Sequence, residues 1–294
     1  MELQWPLILF TTFVAWSAGL FGAQGAAALA GEGKRAQMPA LVTSAVLLVV
    51  GGIAVFFHLE HWERIFNGFG NPTSGITQEL VCVVAVAVLM VVMFVMLRKS
   101  AEDEAAPACP TWLAVCAIAA AAVLVLVTGH SYMMAARPAW DSVLGPLSLL
   151  GAAVAMGPLT FAVIEAVRDE AVGKCVALAA LAGSVANAVL AAAYLFAMET
   201  AGSAYAEVGT YFDPTHPTHG MVDMAELSPF AGESVAMVAV AVIAAIVPIA
   251  AAVLGKRSGN WKLWGAVGAA CAVVGAVALR MAFYSVGASV YLFY

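Results

Sequence analysis

The sequence predicts an all-α integral membrane protein with eight transmembrane helices, both termini outside, packed as two four-helix bundles. Three observations predict it. Hydrophobic residues make up 64% of the 294-residue chain and charged residues 10%, where soluble domains have about 45–50% and about 25%. The apolar residues fall into eight continuous runs, each near the roughly 20 residues that a helix needs to cross a bilayer. Lys and Arg gather in alternate connections between those runs.

The first run covers about residues 5–30. It follows MELQ, which holds Glu2 and no basic residue, and it exceeds the ~7–15-residue apolar core of a cleaved leader. It is therefore read as a retained span. Runs at about 38–59 and 77–97 come next, joined by the polar stretch FFHLEHWERIFNGFGNPTSGITQEL at 56–80. Runs at about 111–134, 142–167 and 173–198 follow on short links. A long connection, 199–232, carries Glu199, Glu207, Asp213, Asp223 and Glu226, three prolines, and no Lys or Arg. Loops of that length in compact domains usually carry function or are disordered. Tyr205, Tyr211 and Phe212 within it point to packing against a partner or over a site. The final runs are about 233–254 and 261–285. All are continuous rather than alternating, so they predict helices and not barrel strands. The chain 1–294 reads as one transmembrane domain.

Sidedness follows from the basic residues. Lys34, Arg35, Arg98, Lys99, Arg168, Lys174, Lys256, Arg257 and Lys262 lie after the odd-numbered spans, nine of the twelve; Arg64, Arg137 and Arg280 lie on the other side. The positive-inside rule then places both termini and the loops 2–3, 4–5 and 6–7 outside. The scattered basic residues exclude a nucleic-acid-binding patch. Cys82, Cys109, Cys116, Cys175 and Cys271 form no C-x-x-C pair, so neither an iron–sulfur nor a structural zinc site is expected. Gly19, Gly22 and Gly25, with Gly265, Gly268 and Gly275, read as close helix–helix contacts. GEGKRA at 31–36 follows no strand and is not a nucleotide loop.

Proton-exchanging chemistry concentrates on the outer side. His58, His61, His130, His216 and His219 all fall there. His58 and His61 are three apart, which on a continued helix puts them on one face. Glu79 opens the third run, across one loop. Ionisable groups at membrane depth are costly and default to a functional reading; His and carboxylate are the side chains most readily tuned to exchange protons near neutral pH. Residues near helix ends also snorkel to the interface, and that reading stands beside the functional one, above all for Glu60, His61 and Glu63. A metal site on His58, His61 and Glu63, and a single haem between His58 and His130, are further readings; no histidine lies in the inner half, which excludes two stacked haems. Residues 130–150 add Tyr132, Arg137, Trp140 and Asp141, either an interfacial anchor or one wall of a cavity. Arg280 lies inside the outer end of the last run, where it either holds a carboxylate such as Glu79 or a ligand oxygen, or snorkels outward.

The motif FHLxxxxRxFNxF at 57–69, the glutamate opening the third helix, the PAW element at 138–140 and the R-x-x-FY ending at 280–284 resemble the membrane anchor subunit of dimethyl sulfoxide reductase-type complexes, the DmsC family. The likeness spans most of the chain and is most specific at 57–80 and 137–150. It implies an anchor that oxidises menaquinol to menaquinone. Two electrons then pass to an iron–sulfur subunit and on to a molybdopterin catalytic subunit, with no haem or metal in the anchor itself. His58 matches the family's quinol-site histidine and Glu79 its acidic partner, so these two are the catalytic candidates. His61, Arg64, Arg137, Trp140 and Arg280 are the further quinol-binding candidates. The implied setting is the bacterial cytoplasmic membrane, with both partners on the outer face. A related eight-helix anchor of polysulfide reductase type does similar chemistry. A transporter is the alternative from another class, but no acid or base stands at the middle of a span, where such sites lie.

Overall fold

The computed structural model describes residues 3–59, 61, 67, 70–100, 109–202 and 227–289. Among these are eight helices and no strand: α1 (Trp5–Leu29), α2 (Gln37–Phe56), α3 (Gly75–Ser100), α4 (Thr111–His130), α5 (Leu144–Val167), α6 (Lys174–Ala201), α7 (Ser234–Ser258) and α8 (Trp261–Ser285). Each is long and apolar enough to cross a membrane, and the protein is an integral membrane protein. Part of loop 2–3, including Glu60, Trp62, Glu63 and Arg64, lies outside the described residues, as does 203–226 with His216 and His219.

Local signals set the helix ends. Pro6 stands in the first turn of α1, where its missing N–H costs no intrahelical bond. Arg98 and Lys99 close α3, and Lys256 and Arg257 close α7, opposite the negative end of the helix dipole. Gly259, at φ 72°, ends α7 in the left-handed conformation that glycine adopts without strain. Asn260 then caps α8 by accepting the Leu263 N–H at 3.2 Å.

Two ends fall short of expectation, and one of them matters. α2 stops at Phe56, three residues early. Phe57, His58 and Leu59 donate in turn to the carbonyls of Ala54, Val55 and Phe56, a run of tight i→i+3 bonds that satisfies the last turn and ends the helix. His58 and His61 therefore stand in turns and share no helix face, contrary to the spacing argument. α4 likewise stops at His130, leaving Tyr132 in the following turn.

α1 and α5 form the middle of the structure. α1 packs on α2, α4 and α5, while α5 also packs on α4, α6 and α8; α7 lies against α6 and α8, and α3 against α4 and, more lightly, α2. The α1–α5 crossing is backbone against backbone. A Cβ on Gly19 would stand 2.0 Å from the Ala153 carbonyl oxygen, and one on Gly157 would stand 2.1 Å from Gly19. Glycine there lets two helices meet without intervening side chains, which is how dispersion holds helices together in lipid.

The two ends of the bundle differ. At the end holding Lys34, loops are tied by carboxylates. Glu32 accepts the Cys175 N–H at 3.0 Å and the Val176 N–H at 3.3 Å, capping α6 from loop 1–2. Glu170 accepts the Arg35 N–H at 3.1 Å. Lys262 pairs with Asp169 at 2.9 Å, and that hydrogen bond and charge hold the Asp169 carboxyl below the usual range. Glu165, near the end of α5, is fully buried, and neither of its oxygens has a hydrogen-bond partner.

Candidate functional site

The other end of the bundle gathers polar side chains from three helices. Glu79 is the fifth residue of α3 and is buried. The Ser131 hydroxyl, just past α4, donates to its Oε2 over a long 3.4 Å, while Oε1 has no partner. Thr128, in the last turn of α4, faces the same carboxylate without closing a hydrogen bond. Arg280 and Tyr284 sit one turn apart on α8, 5% and 3% exposed. The positive charge of Arg280 reaches Glu79, Tyr132 and Tyr284.

Four polar atoms here are buried and unsatisfied: Glu79 Oε1, Thr128 Oγ1, Arg280 Nη2 and Tyr284 Oη. Buried polar groups are nearly always hydrogen-bonded, because leaving one unpaired costs about 1–3 kcal/mol. Four lie in this one region, offering one carboxylate acceptor, one guanidinium donor and two hydroxyls to any polar group that reaches them.

Loop 4–5 supports the α8 side. Trp140 donates to the Phe283 carbonyl at 2.8 Å and stacks on its ring at 4.3 Å. Arg137 lies 4.4 Å over the Trp140 ring and donates to the Gly287 carbonyl. Tyr132 meets Phe283 edge-on at 6.1 Å; burial pushes its phenol well up from the ordinary value, with Tyr284 and Glu79 adding to that.

Of the residues singled out from sequence, the structure brings Glu79 and Arg280 together and sets Arg137 and Trp140 beside them. His58 and His61 are exposed, and no described contact joins either to Glu79. Arg64 lies outside the described residues. His130, the haem alternative's second ligand, is exposed at the end of α4. Among the described residues, no group of three His, Cys, Asp or Glu is placed to hold a metal.

Thr128, Ser131 and Tyr284 were not indicated by the sequence as site residues. Hydroxyls in apolar helices read as packing. The available signal was spacing: Tyr284 follows Arg280 by four residues and so shares its helix face.

The family model of the DMSO reductase anchor subunit (DmsC) matches residues 1–284. The chain belongs to this family. No curated protein was found to match it. As a DmsC-family protein it is a membrane anchor subunit of an oxidoreductase complex. One acceptor beside a guanidinium and a phenol can meet a ligand hydroxyl, which donates one hydrogen and accepts at its oxygen.

Proposed function

We propose that this DmsC-family anchor oxidises menaquinol at the end of the bundle that holds Glu79. Its two electrons pass to an iron–sulfur subunit docked over that end, which feeds a molybdopterin catalytic subunit. The observation that carries the reading is the buried Glu79 carboxylate, one oxygen unsatisfied, with Thr128 and Ser131 at the end of α4 beside it and the Arg280 charge within reach.

The reaction releases two electrons and two protons from each quinol. Glu79 accepts the proton of one hydroxyl, and Arg280 donates to that oxygen, stabilising the negative charge that develops as the O–H bond breaks. His58, exposed at the water-facing end of α2, receives the second proton and hands it to solvent. Arg137 and Trp140 hold the outer end of α8 in place. His61 and Arg64 form the rim of the site.

The remaining framework belongs to the same reading. The anchor is one domain of two four-helix bundles, α1–α4 and α5–α8, in the bacterial cytoplasmic membrane. Both termini and both partners stand on the outer face, in keeping with the distribution of Lys and Arg. Protons and electrons then leave on one face, and this step separates no charge across the membrane.

Stopped-flow mixing of the assembled complex with a reduced naphthoquinol tests the reading. Cluster reduction tracking quinol loss, two electrons per molecule, and falling in both His58→Ala and Glu79→Ala, is the expected result. Wild-type rates in both variants, with all subunits still associated, would overturn it.

A further inference from the structure

Tyr284 is buried for a reason that explains its ring and not its hydroxyl. The ring packs edge-on against Trp140 at 5.5 Å and against Phe283 at 5.0 Å, so a phenylalanine would fill the same space. The hydroxyl closes no hydrogen bond, although the residue is 3% exposed and the Tyr132 hydroxyl stands beside it. A buried tyrosine normally finds a partner for its O–H.

Tyr194 shows what the same fold does with a structural tyrosine. It is 1% exposed, packs against the same Phe283 ring at 6.4 Å, and its hydroxyl donates to the Ala139 carbonyl at 3.3 Å. The fold satisfies that phenol of the aromatic cluster and leaves the Tyr284 phenol facing Arg280, the Tyr132 hydroxyl, Glu79 and Arg137.

We propose that Tyr284 contacts the substrate: its phenol donates to the hydroquinone oxygen whose own hydrogen goes to Glu79, sharing that oxygen with Arg280. The claim rests on the quinol reading above and adds a residue to it. The hydrogen-bond count fits. A hydroquinone hydroxyl carries one hydrogen and two lone pairs. Its hydrogen meets Glu79 Oε1, and its lone pairs meet Arg280 Nη2 and Tyr284 Oη, so one hydroxyl satisfies three buried groups. A ring without that oxygen leaves all three unpaired, and a site of that kind rejects such an analogue strongly. Tyr284 is thus a specificity-determining residue as well as a binding one.

The test is Tyr284→Phe in the assembled complex, which removes one oxygen and keeps the ring. A reduced water-soluble naphthoquinol is the probe, with affinity read by equilibrium binding and turnover by cluster reduction. Losing one donor predicts affinity about tenfold weaker, with KM rising by a similar factor and subunit association intact. Tyr194→Phe, which loses a purely structural hydrogen bond, lowers the melting temperature and leaves quinol affinity unchanged. If the wild-type complex binds and oxidises the naphthoquinol and Tyr284→Phe does so with unaltered affinity and KM, the role of Tyr284 is overturned while the quinol reading stands. If the wild-type complex does not bind the naphthoquinol at all, both fall.

Discussion

The indole N–H of Trp140 donates to the backbone carbonyl of Phe283 at 2.8 Å while the two rings stack 4.3 Å apart. One residue of loop 4–5 thereby fixes the last turn of α8, the turn that carries Tyr284 and follows Arg280. Gly287 packs so tightly against the same indole that a Cβ there would stand 2.2 Å from its nitrogen. Trp140→Phe keeps an aromatic ring and strands the Phe283 carbonyl, costing about 1–3 kcal/mol. We expect a lower melting temperature in detergent together with a raised KM for quinol. A drop in stability with KM untouched would show that loop 4–5 does not position the site.

The crossing of α1 and α5 gives a purely structural prediction. Gly19→Ala places a Cβ 2.0 Å from a backbone oxygen of α5, which no side-chain movement relieves. The helices must separate, and the anchor should fail to accumulate in membranes. Gly52→Ala is the matched control: its Cβ meets nothing within 4 Å, and replacing a mid-helix glycine gains up to about 1 kcal/mol. Comparing membrane levels of the two variants checks the packing directly.

Glu165 gives a third prediction. It is fully buried and neither oxygen closes a hydrogen bond; the backbone N–H of Gly173 faces it, and the carboxylates of Glu170 and Glu32 act on it through their charge. Met has a similar length and no polar atom, so Glu165→Met relieves an unpaired buried group worth about 1–3 kcal/mol. The melting temperature should rise or hold, with quinol turnover unchanged. Loss of turnover in an assembled complex would instead mark a second proton-handling site at the Lys34 end.

The Asp169–Lys262 pair sets a pH dependence. Its hydrogen bond and charge lower the Asp169 carboxyl below its unfolded value of about 3.9. The pair's contribution is therefore present above that value and is lost as pH falls through the lower folded one. Both groups are exposed, so the effect is small. Lys262→Met should melt slightly below wild type near neutral pH, and the two curves should merge in acid; a constant gap down to strongly acidic pH would show that the pair contributes through packing alone.

The eight spans were legible because continuous apolar runs leave the chain no other way to satisfy its backbone in lipid. Glu79 and Arg280 were legible for the related reason that charge inside such runs is rare. What sequence could not supply was tertiary. His58 lost its helical setting because three i→i+3 bonds end α2 at Phe56, which a hydropathy window does not register. Thr128 and Tyr284 gain meaning only when α4 and α8 face α3. Glu165 drew no reading from the sequence, and its burial shows only once Gly33, whose Cβ would lie 2.9 Å from its Oε1, folds over it.

The central claim is that Glu79 takes a proton from quinol. Glu79→Gln keeps size and hydrogen-bonding capacity but removes the base. In a single turnover of the assembled complex with naphthoquinol, iron–sulfur reduction should slow by about 10²–10⁴-fold while quinol still binds. Cluster reduction at the wild-type rate in Glu79→Gln, with the partner subunits in place, would contradict the account.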